Sequence, residues 1–322
     1  MEQTVVENGV VRFFEDKKEL IARTYSWWPP LRWRVYYFRA MMRRAFTFGE
    51  FCQLMVLTSR FEAKRKLTNR FYKFFDEEIR RESSAFYPDG KANIYGHKFR
   101  TAGDIPDFID LIDQVMIHDQ YHAKDFVKED SVIIDAGANI GAFSVFAAQM
   151  ATKGRIYSFE PARKTMEILR ENTASYPQIT CVPMGLGEVP AEKNILVDEG
   201  RLGDSVIEDS PFLNTEQNIV VGMKDTGIPE KIKITTLDAF VKENNIPKVD
   251  VIKIDTEGYE ANILKGARET IKRWKPIIAM SAYHNVNDKK DLPELVKSIS
   301  PDYVCELHKE REEDFVCRPK GR

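Results

Sequence analysis

Apolar residues along this chain fall into two alternating kinds of run. Val132-Ile133-Ile134, Arg155–Phe159, Ile179–Pro183, Val249–Ile254 and Pro276–Ser281 are short, nearly continuous and rich in β-branched residues. That is the pattern of strands buried on both faces. Between them apolar positions recur at helical spacing, first at Ile140, Phe143, Phe146 and Ala147. Helices are predicted over Ala162–Ser175, Leu237–Asn245 (with Thr236 as its N-cap), Glu260–Trp274 and Leu292–Ser298. Residues 190–235 read as irregular, with edge strands at Lys193–Val197 and Lys231–Thr235. Tyr303–Leu307 and Asp314–Cys317 predict a closing pair of strands. Repeated strand–helix alternation predicts a doubly wound α/β sheet.

The region before that alternation has a different pattern. Residues 1–24 are polar and mixed, with a modest helical stretch at Lys17–Thr24. Residues 31–81 read as two or three helices rich in aromatics and in arginine and lysine. Pro88-Asp89-Gly90 is a turn and marks a boundary, giving a basic, aromatic, helical extension over 1–87 and a main domain over 88–322. A hairpin around Gly96 is predicted over 92–101, and a helix over 107–120 started by Asp107.

Charge and composition change little in this picture. The 322 residues carry 48 Lys+Arg and 50 Asp+Glu, so nucleic acid is not implied as a partner. There is no apolar run long enough for a transmembrane helix. The opening residues, with Glu2, Glu7, Glu15 and Asp16, lack the order of a signal peptide. Cys52, Cys181, Cys305 and Cys317 contain no C-x-x-C pair, which argues against structural zinc. Four scattered cysteines read as reduced and cytoplasmic. Cys305 and Cys317 face each other across the terminal hairpin, with core packing preferred over a bond. The basic segment 31–81 is read first as a helical cap with a solvated face. Its alternative is a membrane-peripheral surface resting on anionic lipid.

Chemistry is expected where the parallel strands end. The first ends at Asp135, followed by Gly137, Asn139 and Gly141 in a turn that opens a helix. The glycines are spaced G-x-x-x-G and not G-x-G-x-x-G, so this is not the dinucleotide fingerprint. An acid at the strand end suits a cationic ligand, which points to S-adenosylmethionine (SAM). Glu160 ends the second strand and can accept both hydroxyls of a ribose. The fourth ends at Asp255-Thr256-Glu257-Gly258, and the fifth at Tyr283-His284. Two close carboxylates at Asp255 and Glu257 call for a compensating cation or donor. A metal there lacks a convincing third ligand, so none is expected. His284 is the first candidate for general base, with Glu257 second.

Taken together, Asp135-Ala-Gly-Ala-Asn-Ile-Gly141, Phe159-Glu160-Pro161, Thr235-Thr236-Leu237-Asp238, Ile252–Glu260, Ile263–Ala267 and Lys275-Pro276 leading to Tyr283-His284 resemble the FkbM family of SAM-dependent methyltransferases. The resemblance spans residues 90–318 and does not reach 1–85. It implies a class I, Rossmann-like methyltransferase sheet with a reversed final hairpin, and methyl transfer to hydroxyl oxygens. Asp135, Gly137, Asn139 and Gly141 would line the methionine part of the cofactor and Glu160 its ribose. Leu186 would frame the adenine. Asp255 would sit under the amino group or the transfer centre. The acceptor it implies is a small molecule or glycan, most simply a sugar hydroxyl in a glycan or glycolipid. Two other readings stand beside it: an NAD-dependent oxidoreductase on a similar sheet, and a noncatalytic membrane- or glycan-binding protein led by the basic helices. A homo-oligomer is compatible with all three.

Overall fold

The computed structural model describes residues 3–7, 10–14, 91–94, 97–100, 111–197, 205–208, 210, 227–309 and 312–321. The helices expected over 17–24 and 31–81, and the turn at Pro88-Asp89-Gly90, lie outside these residues. The chain divides into two compact units, Met1–Phe99 and Arg100–Arg322. In the first, β1 (Gln3–Glu7) pairs antiparallel with β2 (Val10–Phe14), and β3 (Lys91–Ile94) with β4 (His97–Arg100). The β1–β2 hairpin gives strand structure to a start that the pattern reads only as polar and mixed. The second hairpin is the one expected around Gly96.

The second unit is built on β5 (Val132–Ala136), β6 (Arg155–Phe159), β7 (Ile179–Val182), β12 (Val251–Ile254), β13 (Ile277–Ser281), β14 (Tyr303–His308) and β15 (Asp314–Pro319). They form one seven-stranded sheet in the order β14-β15-β13-β12-β5-β6-β7. β13, β12, β5, β6 and β7 run parallel, while β15 lies antiparallel to β13 and to β14. This is a doubly wound sheet with the reversed final hairpin that the family resemblance implies. Every residue of β5 and β12 is buried, as suits runs that are apolar apart from the paired Asp135 and Lys253.

Residues 185–235 are more regular than their composition suggests. β8 (Gly185–Leu186), β9 (Ala191–Val197), β10 (Ser205–Ile207) and β11 (Ile228–Thr235) make a second sheet in the order β10-β9-β11-β8. Along β11 the burial alternates, with Ile232 and Ile234 inside and Lys231 and Lys233 outside. Ile195, Val197, Ile232 and Ile234 join the same core as Ile134, Phe159 and Ile252 of the large sheet.

The helices are α1 (Ala142–Met150), α2 (Arg163–Thr173), α3 (Leu237–Glu243), α4 (Glu260–Lys265), α5 (Arg268–Trp274) and α6 (Asp288–Ile299). Thr236 caps α3 as expected, its hydroxyl accepting the Ala239 N–H at 3.0 Å. The single helix expected over 260–274 is broken into α4 and α5. Gly266 lies so close to the next layer that a Cβ there would stand 1.9 Å from the Gly187 carbonyl oxygen. Asp238 then caps α5 from another helix, accepting the N–H groups of Glu269 (2.9 Å) and Thr270 (2.8 Å). α6 starts about a turn earlier than its apolar spacing implies, held by Asn285, whose backbone N–H donates to Asp288 at 2.8 Å. Of the helix expected over 107–120, the described part is Leu111-Ile112 followed by a π-helical turn, Asp113–Ile117.

Cys305 and Cys317 occupy directly paired positions of β14 and β15 and form a disulfide. The expectation of reduced, merely packed thiols is overturned for this pair, because the register sets the two side chains on one face at closest approach. Cys181 is free. Among the described residues, no helix is long and apolar enough to cross a membrane.

Candidate active site

A cavity of about 110 Å³ opens where β5, β6 and β12 end, roofed on one side by the small sheet. Its shape starts at Gly137. The backbone there has φ +74, and an added Cβ would stand 1.9 Å from the carbonyl oxygen of Asp255. Only glycine lets the β5 turn pass against the end of β12. The N–H groups of Gly137 and Ala138 both donate to the Phe159 carbonyl, at 3.1 and 2.9 Å. Asn139 follows in the left-handed region, at φ 50, and Gly141 caps α1 at φ 95.

Glu160 stands on the wall of this cavity and is only 6% exposed. One oxygen accepts the Asn139 N–H at 3.1 Å and the other the Ala162 N–H at 2.9 Å. Each oxygen keeps a lone pair for a ligand hydroxyl. Burial pushes this carboxyl up to about 7, against the pull of the two backbone donors. The Asn139 Oδ1 is buried with no hydrogen-bond partner among the described residues, which a ligand donor would satisfy. Beyond Glu160 the wall turns apolar, with Leu186, Ile195, Ile207 and Ile232. A flat, apolar ring fits there, beside a diol held by Glu160.

Asp135 and Gly141 are behind this wall, not on it. Asp135 is fully buried and belongs to a polar row that crosses the sheet. The register aligns Ser158 of β6, Asp135 of β5 and Lys253 of β12. One Asp135 oxygen accepts the Ser144 hydroxyl at 2.6 Å, and the other faces the Lys253 ammonium at 3.2 Å. Lys253 also donates to the Gly137 carbonyl at 2.8 Å. Breaking such a buried pair from one side leaves an uncompensated charge. Asp135 therefore fixes the floor under the turn, and Gly141 admits Leu169 and Thr173 of α2 against the start of α1.

The far end of the cavity is made by Asp255 and Glu257. Asp255 accepts the Tyr121 hydroxyl at 2.6 Å. Burial favours its neutral form, but Lys253, His284 and the Tyr121 hydroxyl outweigh that and hold the carboxyl below its usual value. Glu257 is half-buried, with its backbone at φ 51. Behind both lies His284, 1% exposed and off the cavity wall. Its Nδ1 meets Glu260 at 3.0 Å, and its Nε2 is 3.4 Å from Glu257 and 3.7 Å from Asp255. Burial works against a charge on this ring, yet Glu260 and Glu257, with Asp255, push its pKa well above the ordinary value. With both ring nitrogens turned to carboxylates and the ring off the cavity wall, the first candidate for the base is not brought to the cavity. Its position suits a positive charge behind Asp255, whose carboxyl it helps to hold below the usual value.

Glu260 organises this end. Its Oε1 accepts the N–H groups of Thr256 (3.0 Å) and Gly258 (3.2 Å) besides facing His284. Asp255, Glu260 and His284 each place one atom of a metal-ligating kind within 4.8 Å of the others. The sequence reading stops at Asp255 and Glu257, so the structure supplies the missing third group. Because Glu260 Oε1 already serves two amides, the cluster reads as a hydrogen-bonded network. Farther back, Glu312 accepts from Gln120 at 2.8 Å, and Asp314 accepts from Ser281 at 3.1 Å. Burial, with Asp255 and Glu312 beside it, pushes Asp314 up to about 8.

Of the nine positions singled out in the sequence, Gly137, Asn139, Glu160, Leu186, Asp255 and Glu257 converge on the cavity. Asp135, Gly141 and His284 stand one layer behind. Tyr121, Lys253 and Glu260 were missed as parts of the site. Lys253 did carry a signal, since a lysine inside an otherwise apolar central strand must be paired. Tyr121 carried none.

Comparisons with known proteins agree with this geometry. The family described as the methyltransferase FkbM domain matches residues 135–315, more than half of the chain. A hexuronic acid methyltransferase, AglP of Haloferax volcanii, is 30% identical over 190 residues, which is 59% of this chain and 70% of AglP. The 2-O-methyltransferase NoeI of Sinorhizobium fredii is 23% identical over 153 residues, 45% of this chain and 61% of NoeI. A crystal structure of methyltransferase FkbM from Methylobacillus flagellatus is 25% identical, with a TM-score of 0.42, covering 59% of this chain and 44% of that one. The NAD-dependent reading falls with these matches. The chain belongs to the FkbM family of methyltransferases.

Proposed function

We propose that this methyltransferase uses S-adenosylmethionine and transfers its methyl group to a hydroxyl oxygen, most simply of a sugar in a glycan or glycolipid. One observation carries the reading. The cavity joins a carboxylate held by two backbone amides, beside an apolar slot, to a pair of carboxyl groups, Asp255 and Glu257, at its other end. A nucleoside ribose suits Glu160, the adenine suits the slot at Leu186, and a sulfonium-bearing end suits the acidic side. The names of AglP, a hexuronic acid methyltransferase, and NoeI, a 2-O-methyltransferase, support a sugar acceptor and an oxygen target.

When bound, SAM supplies an electrophilic methyl group on a good leaving group. The protein's task is then positioning, with the acceptor oxygen about 3 Å from the carbon it attacks. Glu257 is the group we assign to receive the hydroxyl proton, because it faces the cavity and is backed by His284 at 3.4 Å. Asp255, tied by Tyr121, contributes fixed negative charge.

Calorimetric titration with SAM and with NADH tests the cofactor, and SAM alone is expected to bind. Mass spectrometry of glycans and lipids from a deletion strain tests the acceptor, with the loss of one CH₂ from a specific sugar expected. Binding of NADH in place of SAM would overturn the reading.

A further inference from the structure

Tyr121 lies outside every motif that carries the family resemblance, yet more structure is built around it than core packing needs. It is 4% exposed and forms part of the cavity wall. Its hydroxyl donates to Asp255 Oδ2 at 2.6 Å. Its ring meets Phe143 edge to face, with centroids 5.5 Å apart, and the Lys253 ammonium lies 5.2 Å from its centroid. The backbone on either side is unusual. Asp119 and His122 both adopt the left-handed region, at φ 52 and 56, where residues with a side chain persist only if their surroundings hold them. The holding group is the Asp119 carboxylate, which accepts the N–H groups of Ala123 (2.7 Å) and Lys124 (3.0 Å). This tight turn delivers one side chain to the cavity, and that side chain is Tyr121.

We propose that Tyr121 is a positioning residue, acting through Asp255, that tunes the site for the positive charge at the reacting end of its cofactor. The proposal rests on the reading that the cofactor is SAM. A carboxylate at a strand end can swing about its side-chain torsions. The Tyr121 hydroxyl fixes one oxygen and so sets where the negative charge of Asp255 points. Lys253, the cation next to it, is already taken by Asp135 and the Gly137 carbonyl. His284 faces Asp255 from behind at 3.7 Å, while the carboxylate also lines the cavity, where a ligand cation would meet it and the two aromatic rings favour a cation beside them. Tyr121 should thus matter for a sulfonium and not for the neutral thioether that remains after transfer.

The test uses the full chain and two probes, SAM and S-adenosylhomocysteine, which differ in that charge and one methyl group. Tyr121→Phe keeps the ring and removes the hydroxyl. SAM affinity should fall about tenfold, the scale of a hydrogen bond to a charged group, while S-adenosylhomocysteine affinity stays within about twofold. The second probe also reports that the pocket is folded. In an Asp255→Asn background, Tyr121→Phe should have little further effect on SAM. Equal weakening of both ligands, no weakening of either, or a full effect without Asp255 would overturn the role of Tyr121 while leaving SAM as the cofactor. A wild-type chain that binds neither probe would overturn the cofactor reading, and this one with it.

Discussion

The two ends of the cavity neutralise buried acid in different ways. At the β5–β6 end, the carboxylate of Glu160 is met by main-chain N–H groups, from Asn139 and Ala162. At the β12–β13 end, Asp255 is met by side chains, from Tyr121 directly and from Lys253 and His284 through charge. Main-chain donors come with the path of the chain, so a short local motif suffices to set them. Side-chain donors must be brought from distant segments, and here they come from residues 121, 253 and 284. The first end is therefore suited to a part of the ligand that never varies. The second can be retuned by single substitutions, which suits the end where chemistry and acceptor choice meet.

The harshest way to break this contrast is to remove the place where the two ends touch. Gly137→Ala puts a Cβ against the Asp255 carbonyl at a positive φ, so it should damage both ends together. The strain and the displaced strand should cost on the order of 4 kcal/mol. Thermal melting should show a fall of more than about 10 °C, and a loss under about 3 °C would mean that β5 and β12 can slide apart.

A substitution at the first end sharpens the contrast. Glu160→Gln should weaken SAM about 10- to 100-fold in calorimetry, since a neutral amide cannot accept two hydroxyls as well as a carboxylate does. The wild-type carboxyl, raised to about 7, must lose its proton to accept both hydroxyls. SAM affinity should thus rise as the pH passes through about 7, and the variant should lose that rise. A rise that survives in Glu160→Gln would place the titrating group elsewhere.

The smallest effect is expected at the back of the second end and concerns stability. Asp314 is raised from 3.8 to about 8. Between those values the folded chain binds a proton that the unfolded chain has released, so this group makes stability fall as pH rises through that window. Asp314→Asn should remove that loss. The variant should melt a few degrees above wild type at pH 8 and no higher at pH 4. Equal melting at both pH values would show that Asp314 is not held neutral.

The same contrast explains what the sequence could reveal. The sheet was legible because β5, β12 and β13 are largely apolar runs, and Glu160 because it follows another short strand, β6. The β1–β2 hairpin was passed over although Asn8-Gly9, a strong hairpin dipeptide, separates two β-branched stretches. The small sheet was hidden by its many charges, which fall on the wet face of β9 and β11. His284 was located at the right strand end, but its three acidic neighbours come together only in three dimensions. Tyr121 is set by a turn whose left-handed residues are Asp and His, so no glycine marks it.

The contact of Gly266 with Gly187 bears on how such a chain can be re-engineered. The small sheet borders the cavity and is the natural unit to exchange between relatives when a new acceptor is sought. One of its joints to the helices beside it is backbone against backbone, at Gly266 between α4 and α5 and the Gly187 carbonyl. Repacking side chains cannot adapt that joint to a donor sequence. A graft would have to carry residues 185–235 with their own Gly187 and find a glycine waiting at 266. Chimaeras that keep both glycines should fold, and those that mismatch them should fail before any question of specificity arises.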